Sequence, residues 1–419
     1  MKLFRLLGNL NLAIILLLLI AFFSIIGTIL EQNQPSDFYQ LNYPINFPFF
    51  NWKILLFFGL DHIYSSWWFF FLLVFFGSSL ISCTFVRQIP ILKVGQRWFF
   101  YKDLKQFQRF SFTKTFSPSK YYSLIFDLNQ VNYSILQQGK RVYANKGLLG
   151  RVSPIIVHFS LLLILMGSLI GSVFGFVDQE LIPKGEVFHF QNTIENGVFS
   201  YVPQDVVVRI NNFWFKYKVN ENRVDQFYSD ISILNSFGDE LSTKVIYVNQ
   251  PLVYKQLTLY QTDWSISALR LKINNSIQLP FKNVLLPNGN KVWFTTCRIG
   301  LNSDSIFSFT FQNLDNELSY YNSDGILLGQ VKIGDTFSLN NTQVEFFDLV
   351  DSTGLQIKSD PGIIFVYIGF TLLIISIFIS YISHSQVWVL KTFSNIYLTG
   401  ITNRSQVFFE RELIDLLDK

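Results

Sequence analysis

Cysteine is almost absent from this chain of 419 residues, which contains only Cys83 and Cys297. There is no Cys-x-x-Cys pair, so the chain is not by itself a dithiol oxidoreductase. The Cys-x-x-Cys-His sequence that attaches c-type haem is also missing, which excludes a cytochrome of that type. The four histidines form no metal-spaced cluster, and no Ser-His-Asp arrangement is evident.

Charged residues are scarce as well. They make up 15% of the chain, whereas hydrophobic residues make up 50%, and the mean hydropathy is +0.30. This composition is typical of a membrane protein that carries a polar part. The net charge is +4, but no basic stripe lies on a predicted folded module, which argues against a nucleic-acid partner.

Four long runs contain no acidic or basic residue apart from one histidine, and each has the roughly 20 residues that a membrane helix needs. The first run is longer than the roughly 7–15 apolar residues of a signal peptide, and the sequence EQNQPSDFYQ that follows offers no small-residue cleavage site. We therefore predict a retained helix. The runs cover residues 6–30, 67–86, 154–177 and 361–382.

The connecting segments predict the sides of the membrane. Twelve Lys and Arg residues lie between the second and third runs against only Asp103 and Asp127, whereas Lys53 is the only basic residue of the loop 31–66. Because basic loops stay on the cytoplasmic-type side, the amino terminus, the basic loop and the tail share that side. The predicted segments are 1–30 (first span), 31–66 (far-side loop), 67–86 (second span), 87–152 (basic loop), 153–177 (third span), 178–360 (far-side domain), 361–382 (fourth span) and 383–419 (tail).

The far-side segment is rich in β-branched and aromatic residues separated by turn signals, which predicts an antiparallel β-rich domain. Asp360 followed by Pro361 predicts an N-cap and first turn for the fourth span. The turn signals are Phe237-Gly238-Asp239, Asn288-Gly289 and Asp324-Gly325, and the predicted strands lie within 205–219, 243–264, 269–279, 291–301 and 305–314.

Eight stretches, in order along nearly the whole chain, resemble the ResB/CcsB family of cytochrome c biogenesis proteins of the system II pathway. The first, NLAIILLLLIAFFSIIGTILEQNQ, resembles that family's first span, and the last blocks resemble its plastid and cyanobacterial branch. The stretches cover residues 11–34, 60–90, 154–171, 227–234, 248–264, 353–370, 380–390 and 402–412.

The resemblance implies a thylakoid protein of a chloroplast or a cyanobacterium, with four transmembrane helices and a β-rich lumenal domain between the third and fourth. It implies an assembly factor rather than an enzyme, acting with the haem-handling membrane protein CcsA. Together they would deliver haem to apocytochromes c, namely cytochrome f and a soluble lumenal cytochrome c. Because no transit peptide precedes the first span, we expect a plastid-encoded or cyanobacterial chain.

His158 is the only strongly ionisable side chain inside the four predicted spans. Such residues tend to mark a pathway or a ligand site, and imidazole is an axial ligand of haem iron. The resemblance implies that His158 is an axial ligand for transient haem. The alternative is an interfacial histidine, because His158 lies only about one turn inside the positive-side boundary.

His384 and His62 are further candidates for contacts with haem. Each also has a structural interpretation, because histidine and tryptophan are common at membrane interfaces: His384 follows the fourth span directly, and His62 precedes Trp67 and Trp68. His189 is interpreted as a solvated histidine of the far-side domain.

The end of the first span carries small residues, Ser24 and Gly27, followed by Thr28 and the polar pair Glu31-Gln32. Small residues allow helices to approach closely, so this face is expected to pack against another span or the partner. The polar pair either marks the water boundary or, as the resemblance favours, makes a fixed contact with the lumenal domain or the partner.

Two other classes of function remain as alternatives. The chain could be a membrane-anchored receptor or scaffold whose lumenal domain binds a ligand, although no phosphate-cradling loop or signalling domain is evident on the positive side. It could also be a transporter or an enzyme acting alone, although intramembrane charges, broken-helix pairs and a catalytic or metal-spaced cluster are not evident.

Overall fold

A computed structural model describes residues 2–45, 51–191, 193–217, 224–273, 275–285, 291–299, 306–311, 317–339 and 342–418. The chain divides into two compact units. The first comprises Met1–Gly171 and Gly362–Lys419, and the second comprises Ser172–Pro361.

The helices found among the described residues all lie outside the β-rich unit, apart from the last residues of the third span. They are α1 (Lys2–Leu7), α2 (Leu10–Ile29), α3 (Ser36–Asn42), α4 (Trp52–Phe57), α5 (Trp67–Cys83), α6 (Ile89–Gly95), α7 (Leu104–Phe107), α8 (Tyr121–Gln130), α9 (Ser153–Phe174), α10 (Ile363–Ser380) and α11 (Gln406–Asp418).

The strands pair antiparallel throughout the described residues. They are β1 (Thr113–Phe116), β2 (Ser134–Gln138), β3 (Arg141–Lys146), β4 (Phe176–Pro183), β5 (Val187–Phe188), β6 (Thr193–Asn196), β7 (Val206–Tyr217), β8 (Val224–Asn235), β9 (Glu240–Tyr247), β10 (Leu252–Tyr254), β11 (Leu257–Ile273), β12 (Asn275–Pro280), β13 (Lys282–Leu285), β14 (Lys291–Arg298), β15 (Ile306–Phe311), β16 (Glu317–Tyr321), β17 (Leu327–Lys332), β18 (Thr336–Leu339), β19 (Thr342–Ser359), β20 (Ser385–Lys391) and β21 (Ile396–Thr402).

The predicted spans are confirmed as four helices long and apolar enough to cross a membrane: Leu10–Ile29, Trp67–Gly95, Ser153–Phe174 and Ile363–Ser380. The second is longer than predicted, because α5 runs through a π-helical turn at Thr84–Gln88 directly into α6. The third is shorter, because the chain becomes strand β4 at Phe176.

The predicted cap of the fourth span is wrong. Helix α10 begins after Gly362, which is the N-cap residue, whereas Asp360 forms an ion pair with Lys358 at 3.3 Å. At this start, Gly362 lies directly against the backbone of Gly167 in α9.

The third and fourth spans pack through a ladder of small residues. Ser153, Ser160 and Gly167 recur every seventh residue in α9, as do Gly362 at the N-cap of α10 and Gly369 and Ser376 within it. The helices are antiparallel: the Ser153 hydroxyl donates to the Ser376 carbonyl at 2.8 Å, and Gly167 meets Gly362 at the other end. A seven-residue repeat of small side chains permits this close backbone contact along the helix pair.

The small patch at the end of the first span packs against Tyr64, which lies in the following loop. The ring of Tyr64 lies 3.0 Å from the position of a β-carbon on Gly27. Its hydroxyl donates to the Ser24 carbonyl at 3.1 Å and lies 3.3 Å from the Thr28 hydroxyl. The patch is therefore a notch for an aromatic side chain rather than a contact with another span.

Gln32 explains why the first span ends on a polar pair. Its amide nitrogen donates to the carbonyls of Leu30 and Leu60 at 3.0 and 3.1 Å, and its oxygen accepts the Ile63 N–H at 2.9 Å. The carbonyl of Glu31 accepts the buried hydroxyl of Tyr39. Gln32 thus joins the end of α2 to the turn that precedes α5.

The basic loop and the tail fold together into one module. Its sheet has the order β1-β21-β20-β3-β2, so that strands from the tail lie between strands of the loop. Strand β20 pairs with β3 from Ser385↔Lys146 to Leu390↔Arg141. These two chain segments therefore lie on one side of the membrane, as the topology predicts.

The module has a core on each face of its sheet. On one face, Leu128 of α8 and Leu413 of α11 pack against Val389 and Leu398 of the sheet. On the other, Phe107, Tyr143 and Trp388 form an aromatic cluster. The module is therefore a folded domain and not merely a basic linker.

The β-rich unit is organised around two long paired strands, β11 and β19, which run the length of a seven-stranded sheet. One end packs against β7 and β8, with Ile210, Ile231 and Leu259 in the core. The other end packs against the sheet β13-β14-β15-β16-β17, where Phe309 and Phe346 are buried. The β-rich unit therefore has two hydrophobic cores, and strands β11 and β19 contribute residues to both.

Most predicted strands lie where expected, but two runs are divided. Residues 243–264 form parts of β9, β10 and β11 separated by turns, and 269–279 is a tight hairpin in which Ile273 pairs with Asn275. Gly238 and Gly325 adopt φ of +88° and +77° in the predicted turns, whereas Asn288-Gly289 lies outside the described residues.

Candidate functional site

His158 lies on α9 opposite the end of α5, and its ring is half-buried. Its Nδ1 lies 2.9 Å from the hydroxyl oxygen of Thr84. That hydroxyl in turn lies 2.8 Å from the carbonyl oxygen of Leu80 and donates its proton there. The contact therefore joins the second and third spans at their positive-side ends.

This arrangement favours one tautomer of His158. A threonine hydroxyl has one proton, and here the proton is directed at the Leu80 carbonyl. The hydroxyl can then only accept from the imidazole, so Nδ1 carries the ring proton and Nε2 carries the lone pair. A neutral imidazole held in this way, with Nδ1 bound to an oxygen, is the form that ligates a metal through Nε2.

A π-helical turn begins at Thr84. It widens the helix between α5 and α6 at the residue that holds His158. Such insertions in a helix are frequent at functional sites. Sequence reasoning found His158 but not Thr84, whose only signal was its place one residue after Cys83 near the end of an apolar run.

His384 lies in the folded module and is 1% exposed. Its backbone N–H donates to the side chain of Asn403, and its Nδ1 donates to the Lys146 carbonyl at 3.1 Å. Burial lowers the pKa of His384, as does the nearby charge of Arg151, while the Lys146 carbonyl acts in the opposite direction. These contacts support the structural interpretation, with a neutral imidazole at the junction of the fourth span and the sheet.

His62 lies in the turn before α5, at the opposite end of that helix from Thr84. Its Nδ1 lies 2.9 Å from Oδ1 of Asp61, and the ring is partly exposed. The ring also flanks Gly59, close to the indole nitrogen of Trp68. The structure leaves both the ligand and the interfacial interpretation of His62 available.

The candidates are thus distributed along the first unit and are not gathered at one point. His158 and His62 lie near opposite ends of α5, a helix of 17 residues that rises about 25 Å. Within the described ranges, no group of three His, Cys, Asp or Glu residues could hold a metal ion. Both cysteines are free thiols, and His189 is exposed.

Comparison with known proteins identifies the family. The model of the ResB-like family matches residues 10–295 and 277–414. The chain belongs to the ResB-like family. The match includes both units and all three candidate histidines.

Full-length relatives of this ResB-like chain come from algae and cyanobacteria. It is 46% identical over 419 residues to "Cytochrome c biogenesis protein Ccs1" of Pyropia yezoensis, covering 99% of this chain and 94% of that protein. The protein of the same name from Thalassiosira pseudonana is 42% identical, covering 99% of each chain. "Cytochrome c biogenesis protein CcsB" of Crocosphaera subtropica is 42% identical, covering 100% of this chain and 94% of that protein.

Proposed function

We propose that this protein is an assembly factor of cytochrome c biogenesis that holds haem in transit across a thylakoid membrane, for covalent attachment to apocytochromes c in the lumen. The observation that carries the proposal is the full-length similarity to proteins named for cytochrome c biogenesis. The sources of these relatives are consistent with a thylakoid location. The β-rich unit would then face the lumen and the folded module the opposite side.

The donor set of His158 fits haem as cargo. Its Nδ1 is held by Thr84, and the lone pair of a neutral ring on Nε2 suits an axial bond to iron. One imidazole supplies one axial position, so the second comes from a partner or from another histidine. We propose that this partner is CcsA.

His62 is the candidate at the far end of α5. Its Nδ1 lies 2.9 Å from a carboxylate oxygen of Asp61, and its ring lies near Trp68, a planar aromatic side chain able to stack on a planar ligand. In this proposal, haem would meet His158 near the positive side and His62 near the lumenal side. His384 is enclosed within the module, so of the three candidates it is the least suited to contact haem.

Covalent attachment adds a cysteine S–H bond across a vinyl C=C bond, forming one C–S and one C–H bond. The addition consumes no oxidant or reductant, but the acceptor thiols must be reduced. Cys83 and Cys297 lie in different units and are unpaired, so this chain has no dithiol to exchange with the acceptor. Reduction is therefore the task of another protein, and holding both substrates in register is the contribution of the complex.

Gene disruption tests the proposal. We expect loss of covalent haem from lumenal c-type cytochromes, seen by haem staining of denatured gels, with b-type haem unchanged. Normal staining would contradict a role in attachment. Loss of both haem types would indicate haem synthesis instead and would equally overturn the proposal.

Thr84 provides a prediction about the orientation of His158. Thr84→Val keeps the shape of the side chain but removes the oxygen that accepts the Nδ1 proton, so we expect the complex purified with CcsA to lose haem roughly ten times faster, since such supporting contacts are typically worth 10–100-fold in metal affinity. Thr84→Ser, the matched control, keeps the hydroxyl and is expected to retain haem. The measurement is the decay of the Soret band after transfer to apomyoglobin. Equal decay in Thr84→Val and wild-type complexes would contradict the role of Thr84.

A further inference from the structure

The loop 197–201, with the sequence GVFSY, presents unusual apolar exposure. Val198, Phe199 and Tyr201 are 86%, 68% and 75% exposed. No charged residue lies between Glu195 and Asp205. Contiguous exposed apolar side chains on a polar domain mark an interaction site.

The position of this loop is fixed by backbone contacts to the end of the third span. The N–H of Phe199 donates to the carbonyl of Val173 at 2.9 Å, and the N–H of Gly197 donates to the carbonyl of Gly175 at 3.0 Å. The loop thereby satisfies carbonyls that a helix end leaves without intrahelical partners. The rings of Phe174 and Phe199 lie side by side, with centroids 6.0 Å apart.

Gly197 permits this close approach. A β-carbon on Gly197 would lie 2.4 Å from the Val173 carbonyl oxygen and 2.7 Å from that of Ser172. Both are backbone atoms, so a larger residue would move the loop away from the helix. Strand β6 ends at Asn196, paired with Phe176 at the start of β4, and this pairing delivers the loop to the helix end.

The depth of the helix end in the bilayer identifies the partner. Helix α9 has 22 residues and rises about 33 Å, close to the roughly 30 Å of a hydrocarbon core. Val173 and Phe174 therefore lie at the boundary between hydrocarbon and headgroups. Aromatic side chains favour this depth.

We propose that the loop 197–201 is a membrane anchor, which inserts Val198, Phe199 and Tyr201 into the lipid interface beside the end of the third span. It fastens the β4–β6 edge of the β-rich unit to the bilayer. The occupant is lipid rather than a protein partner, because the loop packs on Val173 and Phe174 at the end of the spanning helix, where the ring of Phe174 is itself exposed. This anchor is independent of the function proposed above.

Spin labels measure the depth directly. In a Cys83→Ser, Cys297→Ser background, Val198→Cys and Phe199→Cys variants of the full chain are labelled and reconstituted in phosphatidylcholine vesicles. Collisions with oxygen, which concentrates in lipid, are compared with collisions with a water-soluble nickel chelate. Phe159→Cys, at an exposed position on α9, gives the lipid reference, and Phe237→Cys, at a turn position that is 89% exposed, gives the aqueous reference.

We expect both loop labels to collide preferentially with oxygen, as the Phe159→Cys label does. A preference for the nickel chelate, as at Phe237→Cys, would overturn the anchor. Labels shielded from both agents would show that protein covers the loop and would also overturn it. Val198→Cys removes only a small exposed side chain, so its label reports the depth of the loop even if loss of the Phe199 ring disturbs the loop. Size-exclusion elution confirms that each variant is folded.

Discussion

His158→Ala is expected to reduce the haem that co-purifies with the complex at least tenfold, with a matching loss of covalent haem on c-type cytochromes. The substitution removes the Nε2 atom that would bind iron. In the wild type, Thr84 orients this atom by its contact with Nδ1 of the same ring. A tenfold loss corresponds to about 1.4 kcal/mol, which is modest for the loss of an iron–nitrogen bond. The measurement is the Soret absorbance per protein in the purified complex with CcsA.

A matched control and a rescue separate ligation from folding. Phe159→Ala changes the next residue, which is exposed on α9, and is expected to keep wild-type haem. Adding imidazole to the His158→Ala complex is expected to restore the Soret band, since the free ligand can replace the missing ring. Normal haem in His158→Ala would remove His158 as a ligand, and a loss that imidazole leaves unchanged would indicate a structural role.

The spans could be predicted from the sequence because hydrocarbon imposes a simple length and composition rule. Their ends could not. The rule does not detect that α5 continues through a π turn at Thr84–Gln88 or that α10 starts at Gly362, since both depend on packing and local hydrogen bonds.

The folded module shows a second limit on what can be predicted from the sequence. Strands β3 and β20 are about 240 residues apart in sequence, and each is only six or seven residues long. Short runs of this length do not by themselves define a sheet, because β-sheet formation depends on cross-strand partners that lie far away in the chain. The basic charge of the loop predicted its side of the membrane but gave no indication of its fold.

The candidate site, too, could be predicted from the sequence only in part. His158 could be identified because an ionisable group within an apolar run is conspicuous. Thr84 could not, because a hydroxyl in a membrane helix is common and its role appears only when α5 and α9 are placed side by side. The notch at Gly27 was correctly identified as a packing surface, but its occupant, Tyr64, is set by the turn that Gln32 holds.

Gly362→Ala is expected to cause the largest loss of stability among single-methyl additions in the spans. The added β-carbon would lie 1.9 Å from the carbonyl oxygen of Gly167 and 2.8 Å from the backbone nitrogen of Gly171. Neither atom can turn away as a side chain would, so the two helices must separate and lose contacts along the ladder. Overpacking of this kind costs about 3 kcal/mol, and we expect a large fall in the melting temperature of the detergent-solubilised protein.

Gly77→Ala is the matched control for this prediction. It adds the same methyl group to a glycine of α5, where the nearest atoms, on Leu162 and Leu165, would lie at 3.7 and 3.8 Å. These are ordinary contact distances, so the control is expected to melt within a few degrees of the wild type. Equal melting temperatures for Gly362→Ala and Gly77→Ala would show that α9 and α10 are not held at backbone contact. Helix propensity favours alanine at Gly77, inside α5, whereas glycine is the better residue at the N-cap position of Gly362. The difference between the two variants therefore reports the backbone clash between the third and fourth spans together with a smaller loss of N-cap preference.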